Sequence, residues 1–126
     1  MQLFLIAVAG GIGTALRYGA GVAAARSLGG ELPYGTLLVN VIGSFALAVV
    51  AEGLSGTVVL GVEARLILGV GLLGGFTTYS SFNLETLRLA QSGQLDKALL
   101  YAAATVLGCL LAGFAGIVVG RALAAQ

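Results

Sequence analysis

The chain has 126 residues, of which 59% are hydrophobic and only 9% are charged, and its mean hydropathy is +1.07. A soluble domain normally carries about 25% charged residues, so this composition is typical of an integral membrane protein. Histidine is absent and Cys109 is the only cysteine, which excludes a disulfide, a zinc site built on His and Cys, and a Cys–His catalytic pair.

The length sets the number of membrane crossings. One crossing takes about 20 apolar residues, so the chain has room for four crossings in a single domain, residues 1–126. A cleavable signal peptide has a basic segment before its apolar run, and the first residues of this chain have none. Four short helices line a pore poorly, and we therefore expect an oligomer that builds its functional unit between subunits.

The first span is predicted from about Gln2 to Ala25. Gly10, Gly13 and Thr14 are small and allow another helix to approach closely. Arg17 is a charge deep in this span, where it is expensive. Two interpretations stay open: the side chain reaches toward headgroups or bonds the helix-end carbonyls of a neighbour, or it sets a positive potential at an aqueous vestibule.

The second span is predicted from about Tyr34 to Glu52, after Pro33, which suits the start of a helix. Thr36, Asn40 and Ser44 are four residues apart and form one polar stripe on an apolar helix. Such a stripe serves either as hydrogen-bonding contact between helices or as a pore lining. We favour the pore lining because the stripe includes an amide with two N–H donors.

The third span changes character in its middle and ends near residues 91–93. Gly74-Gly75 followed by Thr77-Thr78 is a poor helix interior, so we predict a helix break here. Backbone groups exposed by a break in lipid must be buried in protein or line a polar cavity, and such breaks are typical of ion or substrate sites. After it, Tyr79, Phe82 and Glu85 recur on one face, as a narrow ion path requires.

The fourth span is predicted from Asp96-Lys97 to about Arg121. Tyr101, Thr105 and Cys109 again have a spacing of four, which gives a second polar stripe and strengthens the hypothesis of a hydroxyl-lined track.

The charges of the connecting segments specify the orientation of the chain in the membrane only weakly. With four crossings, two cationic side chains lie on one side of the membrane, those of Arg65 and Arg121. Three lie on the other side, those of Arg26, Arg88 and Lys97. So small a difference allows insertion both ways and an antiparallel dimer.

Three motifs together resemble the Fluc (CrcB) fluoride channel family, and the match covers the whole chain in length, span number and motif order. They are Gly10-Gly11-Ile12-Gly13-Thr14-Ala15-Leu16-Arg17-Tyr18, Gly35-Thr36-Leu37-Leu38-Val39-Asn40-Val41-Ile42-Gly43-Ser44-Phe45 and Gly74-Gly75-Phe76-Thr77-Thr78-Tyr79-Ser80-Ser81-Phe82. The resemblance implies an all-α membrane protein of four transmembrane helices with a break in the third. It also implies a dual-topology antiparallel homodimer with two fluoride pores in the inner (plasma) membrane of the cell.

The resemblance also assigns roles to residues. A structural sodium ion at the dimer interface would be held by the backbone carbonyls of Gly74 and Thr77 of both subunits. The fluoride path would be lined by Asn40, Tyr79, Phe82, Tyr101 and Thr105, with Ser81 and Thr36 close by, and Glu85 follows the aromatic pair. Two positions depart from the family pattern: Tyr79 stands where phenylalanine is common, and Cys109 replaces a serine of some members.

The chemistry of fluoride agrees with these residues. The ion is small and holds its water tightly, so a selective path must offer donors such as an amide, hydroxyls and the positive edges of aromatic rings. Two other functions remain as alternatives. A small proton-coupled drug exporter would need a carboxylate in the first span, which has none, and a structural membrane subunit would use the polar stripes only to hold helices together. An enzyme is not expected, because no nucleophile–base pair or metal cluster can be assembled.

Overall fold

The computed structural model describes residues 1–54 and 60–125, and in these ranges the chain contains helices and turns but no strand. Helix α1 is Gln2–Leu28, α2 is Tyr34–Gly53 and α3 is Leu60–Arg65. A π-helical segment, Leu66–Leu73, continues α3 and leads into α4, Gly74–Phe76. Helices α5 and α6 are Tyr79–Gln91 and Leu95–Ala124. The all-helical fold class is therefore confirmed.

The lengths of α1, α2 and α6 fit membrane crossings. Each is long and apolar enough to span a bilayer, and their ends lie within three residues of those predicted from the sequence. The membrane protein class is thereby supported. The predicted third crossing corresponds to the segmented stretch from α3 to α5, whose helical backbone is interrupted at Thr77 and Thr78.

Helix α1 packs directly on the π-helical segment and α4 through glycines. A β-carbon on Gly71 would lie 2.9 Å from Ala9 Cβ, and one on Gly75 would lie 3.1 Å from Gly10 Cα. Both distances are too short for a side chain, so the helix backbones touch. We call this contact, between α1 and residues 66–76, the glycine seam.

Helix α2 packs along α6 over much of its length, and α5 packs on α6. The two ends of this group are tied by ion pairs between side chains. Arg121 Nε lies 2.9 Å from Glu52 Oε2, and Lys97 Nζ lies 3.8 Å from Glu31 Oε2. Exposed surface pairs contribute little to stability, and the seam and helix packing therefore carry the fold. The polar side chains of α2, α5 and α6 face one another inside this group.

Candidate functional site

The interruption between α4 and α5 is held by a side chain of α2. Thr77 and Thr78 have extended backbone. The N–H of Thr78 donates to Asn40 Oδ1 at 2.7 Å, and Asn40 Nδ2 donates to the Thr78 carbonyl at 3.0 Å. In a continuous α-helix that N–H would bond to the carbonyl of Gly74. The neutral amide of Asn40 thus replaces the helical bonds that the extended residues give up.

Helix α5 begins with a side-chain cap. The Ser81 N–H donates to Thr78 Oγ1 at 3.2 Å, and Thr78 Oγ1 donates to Ser81 Oγ at 3.1 Å. Threonine at this position supplies an acceptor to a helix N-terminus that has no internal partner. Ser81 therefore belongs to the cap of α5, and it does not line the cavity described below.

The carbonyl end of α4 is held from α1. Arg17 Nε donates to the Gly75 carbonyl at 3.1 Å, and Thr14 Oγ1 donates to the same oxygen at 3.5 Å. A cation suits the C-terminal end of a helix, where carbonyls point outward. Of the two interpretations of Arg17, the structure thus shows the bond to a helix-end carbonyl of a neighbouring segment. The vestibule role stays a prediction.

A cavity of about 290 Å³ lies between α2, α5 and α6. Its wall combines aromatic, aliphatic and small polar side chains, namely those of Asn40, Ser44, Tyr79, Phe82, Thr105, Val106, Cys109 and Leu110. Phe82 is only 8% exposed, whereas Tyr79 is 78% exposed. The two rings meet edge to face with centroids 5.7 Å apart, and both residues line the cavity.

Two polar groups of this wall are not equivalent. The Ser44 hydroxyl donates to the Asn40 carbonyl at 2.7 Å, within its own helix. Thr105 is only 4% exposed and lies near the Tyr101 hydroxyl, but its Oγ1 forms no hydrogen bond of normal geometry with any residue that the structure describes. A buried hydroxyl without a partner costs about 1–3 kcal/mol, so Thr105 is a polar group whose hydrogen bond the described residues do not supply with normal geometry.

Next to the cavity, Glu85 accepts two hydrogen bonds. Thr36 Oγ1 donates to Glu85 Oε1 at 2.9 Å, and the Tyr101 hydroxyl donates to Glu85 Oε2 at 2.8 Å. The Tyr101 ring lies 5.4 Å from the Phe82 ring, which connects this cluster to the first cavity. Thr36 and Glu85 also line a second cavity of about 350 Å³ that reaches the linker between α1 and α2.

The structure thus groups most of the predicted path residues. Four of them, Asn40, Tyr79, Phe82 and Thr105, line one cavity. Two more, Thr36 and Tyr101, form the adjacent hydrogen-bonded cluster together with Glu85. Sequence reasoning missed Thr78 as the partner of Asn40, and Val106 and Leu110 as cavity residues. The apolar pair follows from helix geometry, because residues next to Thr105 and Cys109 flank the same face.

The carbonyls of Gly74 and Thr77 were assigned to sodium by resemblance. The N–H groups that would bond to them in an α-helix belong to Thr78 and Ser81, and both donate elsewhere, to Asn40 and to Thr78 Oγ1. Both oxygens therefore lack their usual helical donor. Carbonyls at an unwound helix can coordinate Na⁺ in membrane proteins, and the assignment of sodium to these two carbonyls stays a prediction.

Comparison with known proteins gives the relationship. Residues 4–117 match the family described as "CrcB-like protein, Camphor Resistance (CrcB)". The chain belongs to the CrcB family. Relatives named fluoride-specific ion channel FluC include one from Anaeromyxobacter dehalogenans, 46% identical over 98% of each chain. Others come from Sorangium cellulosum, 48% identical over 97% of this chain and 96% of the relative, and from Thermus thermophilus, 48% identical over 97% of this chain and 95% of the relative. The CrcB family resemblance inferred from the three motifs is thus confirmed over the full chain.

Proposed function

We propose that the protein is a fluoride-selective channel of the plasma membrane that exports fluoride passively and is not an enzyme. The observation that carries the proposal is the cavity that unites an unpaired, buried Thr105 hydroxyl with the edge-to-face rings of Tyr79 and Phe82. The names of the relatives support fluoride as the ion.

The cavity offers what a dehydrated anion needs. Fluoride accepts hydrogen bonds, and Thr105 supplies an O–H that has no partner of normal geometry among the described residues. Asn40 Nδ2 has two hydrogens, of which the Thr78 carbonyl takes one. The positive ring edge of Phe82 supplies a weaker attraction. No cationic side chain lines this cavity, so the ion is bound weakly enough to leave again.

The Glu85 cluster extends the path toward the second cavity. Thr36 and Tyr101 both direct their hydroxyl hydrogens to this carboxylate. Each hydroxyl has a single hydrogen, so a passing fluoride would compete with Glu85 for these two donors. An inside-negative potential favours anion exit by about 2.3 kcal/mol per 100 mV, and export needs no other energy source.

The functional unit in this proposal is an antiparallel homodimer of four-crossing subunits, in which the interrupted stretch from α3 to α5 makes the third crossing. Tyr79 supports the dimer, because a phenol that is 78% exposed close to the interruption would face lipid in a single subunit. A second copy covers it and completes the path. The near-equal charge on the two sides of the membrane supports the antiparallel arrangement.

A sodium ion on the dimer axis completes the proposal. The Gly74 and Thr77 carbonyls of both subunits would hold it, since their usual helical donors bond elsewhere. When bound, the ion supplies a positive field near the path. Arg17 and Thr14 hold the intervening Gly75 carbonyl, which fixes the backbone on which both ligands lie.

Fluoride efflux from liposomes tests the proposed activity. Purified protein is reconstituted in vesicles loaded with potassium fluoride, valinomycin is added to carry the counter-charge, and a fluoride electrode records release. We expect rapid efflux without ATP or a proton gradient, and no release of chloride from matched vesicles. Efflux that requires a proton gradient would favour a coupled transporter, and no efflux at all would favour a structural subunit.

Labelling of the termini tests the dimer. In a Cys109→Ser background, a single cysteine is added after Gln126, and intact cells are treated with an impermeant thiol reagent. Dual topology predicts that about half of the copies react from each side, as expected when the charge bias is small. Reaction of every copy from the same side would contradict the antiparallel arrangement.

A further inference from the structure

We propose that Gly43 is a positioning residue for the sodium ion and acts through the backbone carbonyl of Thr77. The inference rests on the proposed function, in which that carbonyl is a sodium ligand. Gly43 is buried on α2, three residues after Asn40. Residues three apart lie on the same face of a helix, so α2 presents both residues to the interruption at Thr77 and Thr78.

The side chain of Thr77 packs against Gly43 because glycine has no β-carbon. A β-carbon added to Gly43 would overlap the Thr77 Cγ2 methyl. The other branch of the Thr77 side chain is bonded, since Oγ1 donates to the Leu73 carbonyl at 3.0 Å. The Thr77 N–H donates to the same carbonyl, also at 3.0 Å. A β-branched side chain is stiff at χ1, so these contacts fix Thr77 relative to α2 and to the π-helical segment.

The peptide unit that follows Thr77 is also held from α2. Its N–H, which belongs to Thr78, donates to Asn40 Oδ1 at 2.7 Å. A trans peptide is planar, with its C=O and N–H directed to opposite sides, and this unit is trans. The Thr77 carbonyl is therefore directed away from Asn40. Helix α2 thus positions the proposed ligand by a hydrogen bond at residue 78 and by the packing of a methyl group at residue 77.

A methyl group on Gly43 would disturb this ligand. To make room, the Thr77 side chain must rotate about χ1, which breaks its bond to Leu73, or the Thr77 backbone must move together with its carbonyl. Gly43 does not line the cavity between α2, α5 and α6, and its replacement by alanine removes no hydrogen-bonding side chain. Changing a residue that orients a metal ligand typically costs about 10- to 100-fold in metal affinity, and we expect a loss in this range for Gly43→Ala.

Thermal unfolding measures sodium affinity independently of conduction. The full-length protein is purified in detergent without sodium and unfolded at increasing NaCl, with N-methyl-D-glucamine chloride keeping the ionic strength constant. A ligand that binds only the folded state raises the unfolding temperature once its concentration exceeds the dissociation constant, so the sodium concentration at which the rise begins reports the affinity. Gly53→Ala is the control on the same helix, because the nearest atom to its new β-carbon is 3.7 Å away.

A double-mutant cycle separates the ligand from general packing. Thr77→Ser removes the Cγ2 methyl and keeps the hydroxyl that bonds to Leu73. In this background the nearest atoms to a β-carbon on Gly43 are Phe76 Cδ1 at 3.4 Å and the Cβ of residue 77 at 3.7 Å, so Gly43→Ala finds space. We expect Gly43→Ala to raise the required sodium concentration about tenfold or more in the wild-type background. Added to Thr77→Ser, it should leave that concentration nearly unchanged.

Two results would overturn the inference directly. One is a Gly43→Ala protein that unfolds at a lower temperature but needs no more sodium than wild type, because the residue would then only pack. The other is equal weakening of sodium binding in both backgrounds. If Gly43→Ala alone does not assemble, a double variant that is stabilised by sodium like Thr77→Ser supports the inference, and one that is not overturns it.

The same measurements separate this inference from the proposed channel. Wild-type protein whose unfolding temperature does not depend on sodium would reject the proposed sodium site and the inference with it. Wild-type protein that is stabilised by sodium but releases no fluoride from liposomes would reject the channel function alone, and the double-mutant cycle would still decide the role of Gly43.

Discussion

The glycine seam and the cavity between α2, α5 and α6 are built in opposite ways. In the seam, α1 meets the π-helical segment and α4 backbone to backbone, and side chains are excluded: Gly71 lies against Ala9 and Gly75 lies against Gly10. In the cavity, α2, α5 and α6 meet through side chains that hydrogen-bond to one another or leave space between them. At Gly71 and Gly75 the seam therefore has no space for an added atom, whereas the cavity depends on the shape and the hydrogen-bonding groups of the side chains that line it.

The largest expected effect is in the seam. Gly75→Ala places a methyl group 3.1 Å from Gly10 Cα and closer still to the Gly10 carbonyl oxygen, and overpacking of this kind costs about 1–3 kcal/mol or more. We expect loss of the assembled protein on size-exclusion chromatography and no fluoride efflux. Gly74→Ala is the matched control, since the nearest atom to its new β-carbon is 3.6 Å away. If Gly75→Ala assembles and unfolds like wild type, the seam is not close-packed.

Asn40→Asp is expected to have the next largest effect. The variant keeps the acceptor for the Thr78 N–H but replaces the donor to the Thr78 carbonyl by a second oxygen. A buried carbonyl left unpaired costs about 1–3 kcal/mol, and the new charge repels an anion in the cavity. Fluoride efflux should fall at least about tenfold, which is 1.36 kcal/mol in barrier height.

The other asparagine provides the control for this charge. Asn83 is exposed on α5, so Asn83→Asp adds the same carboxylate outside the cavity. Comparable loss of efflux in both variants would show a general electrostatic effect rather than a local one.

Phe82→Ile sharpens the role of the ring. Isoleucine stays apolar but removes the ring contacts to Tyr79 and Tyr101, and such aromatic pairs contribute about 0.5–1.5 kcal/mol each. We expect a severe reduction in efflux with the assembly preserved. Phe114→Ile, at a position that is 68% exposed on α6, should conduct normally. Normal conduction by assembled Phe82→Ile would indicate that the ring only packs.

Thr105→Val has the smallest expected effect on the fold and separates stability from conduction. The hydroxyl forms no hydrogen bond in the described structure, so its removal relieves a desolvation penalty of about 1–3 kcal/mol. Thermal unfolding in detergent should therefore occur at the same or a higher temperature, while fluoride efflux decreases. A loss of stability would mean that the hydroxyl has a structural partner.

Much of this arrangement is readable from the sequence. The apolar runs and Pro33 locate the ends of α1, α2 and α6, and the spacing of four in Tyr101 and Thr105 places both on one buried face. The sequence predicts the exact position of the helix break less well. Low helix propensity predicts a break over residues 74–78, but Gly74–Phe76 is helical and only Thr77 and Thr78 are extended. The tertiary contact of Gly75 with α1 overrides its intrinsic preference.

Two features have no local signal in the sequence. The run of residues 66–73 is apolar throughout, and its pattern does not distinguish a π-helix from an α-helix. The pairing of Asn40 with Thr78 joins residues 38 positions apart, and no spacing rule within one helix predicts it. The pore role of the amide was inferred from its two donors, yet one of them serves the backbone.

The pairing of Asn40 with Thr78 limits how fast the backbone at residues 77–78 can change its conformation. The side chain bonds both the N–H and the carbonyl of one residue, so an amide rotation or a shift of α5 breaks both bonds together. Neither partner titrates, and the pair is thus insensitive to proton concentration. We expect the Thr78 amide to exchange with deuterium as slowly as amides inside α2, which would mark residues 77–78 as a rigid joint rather than a gate.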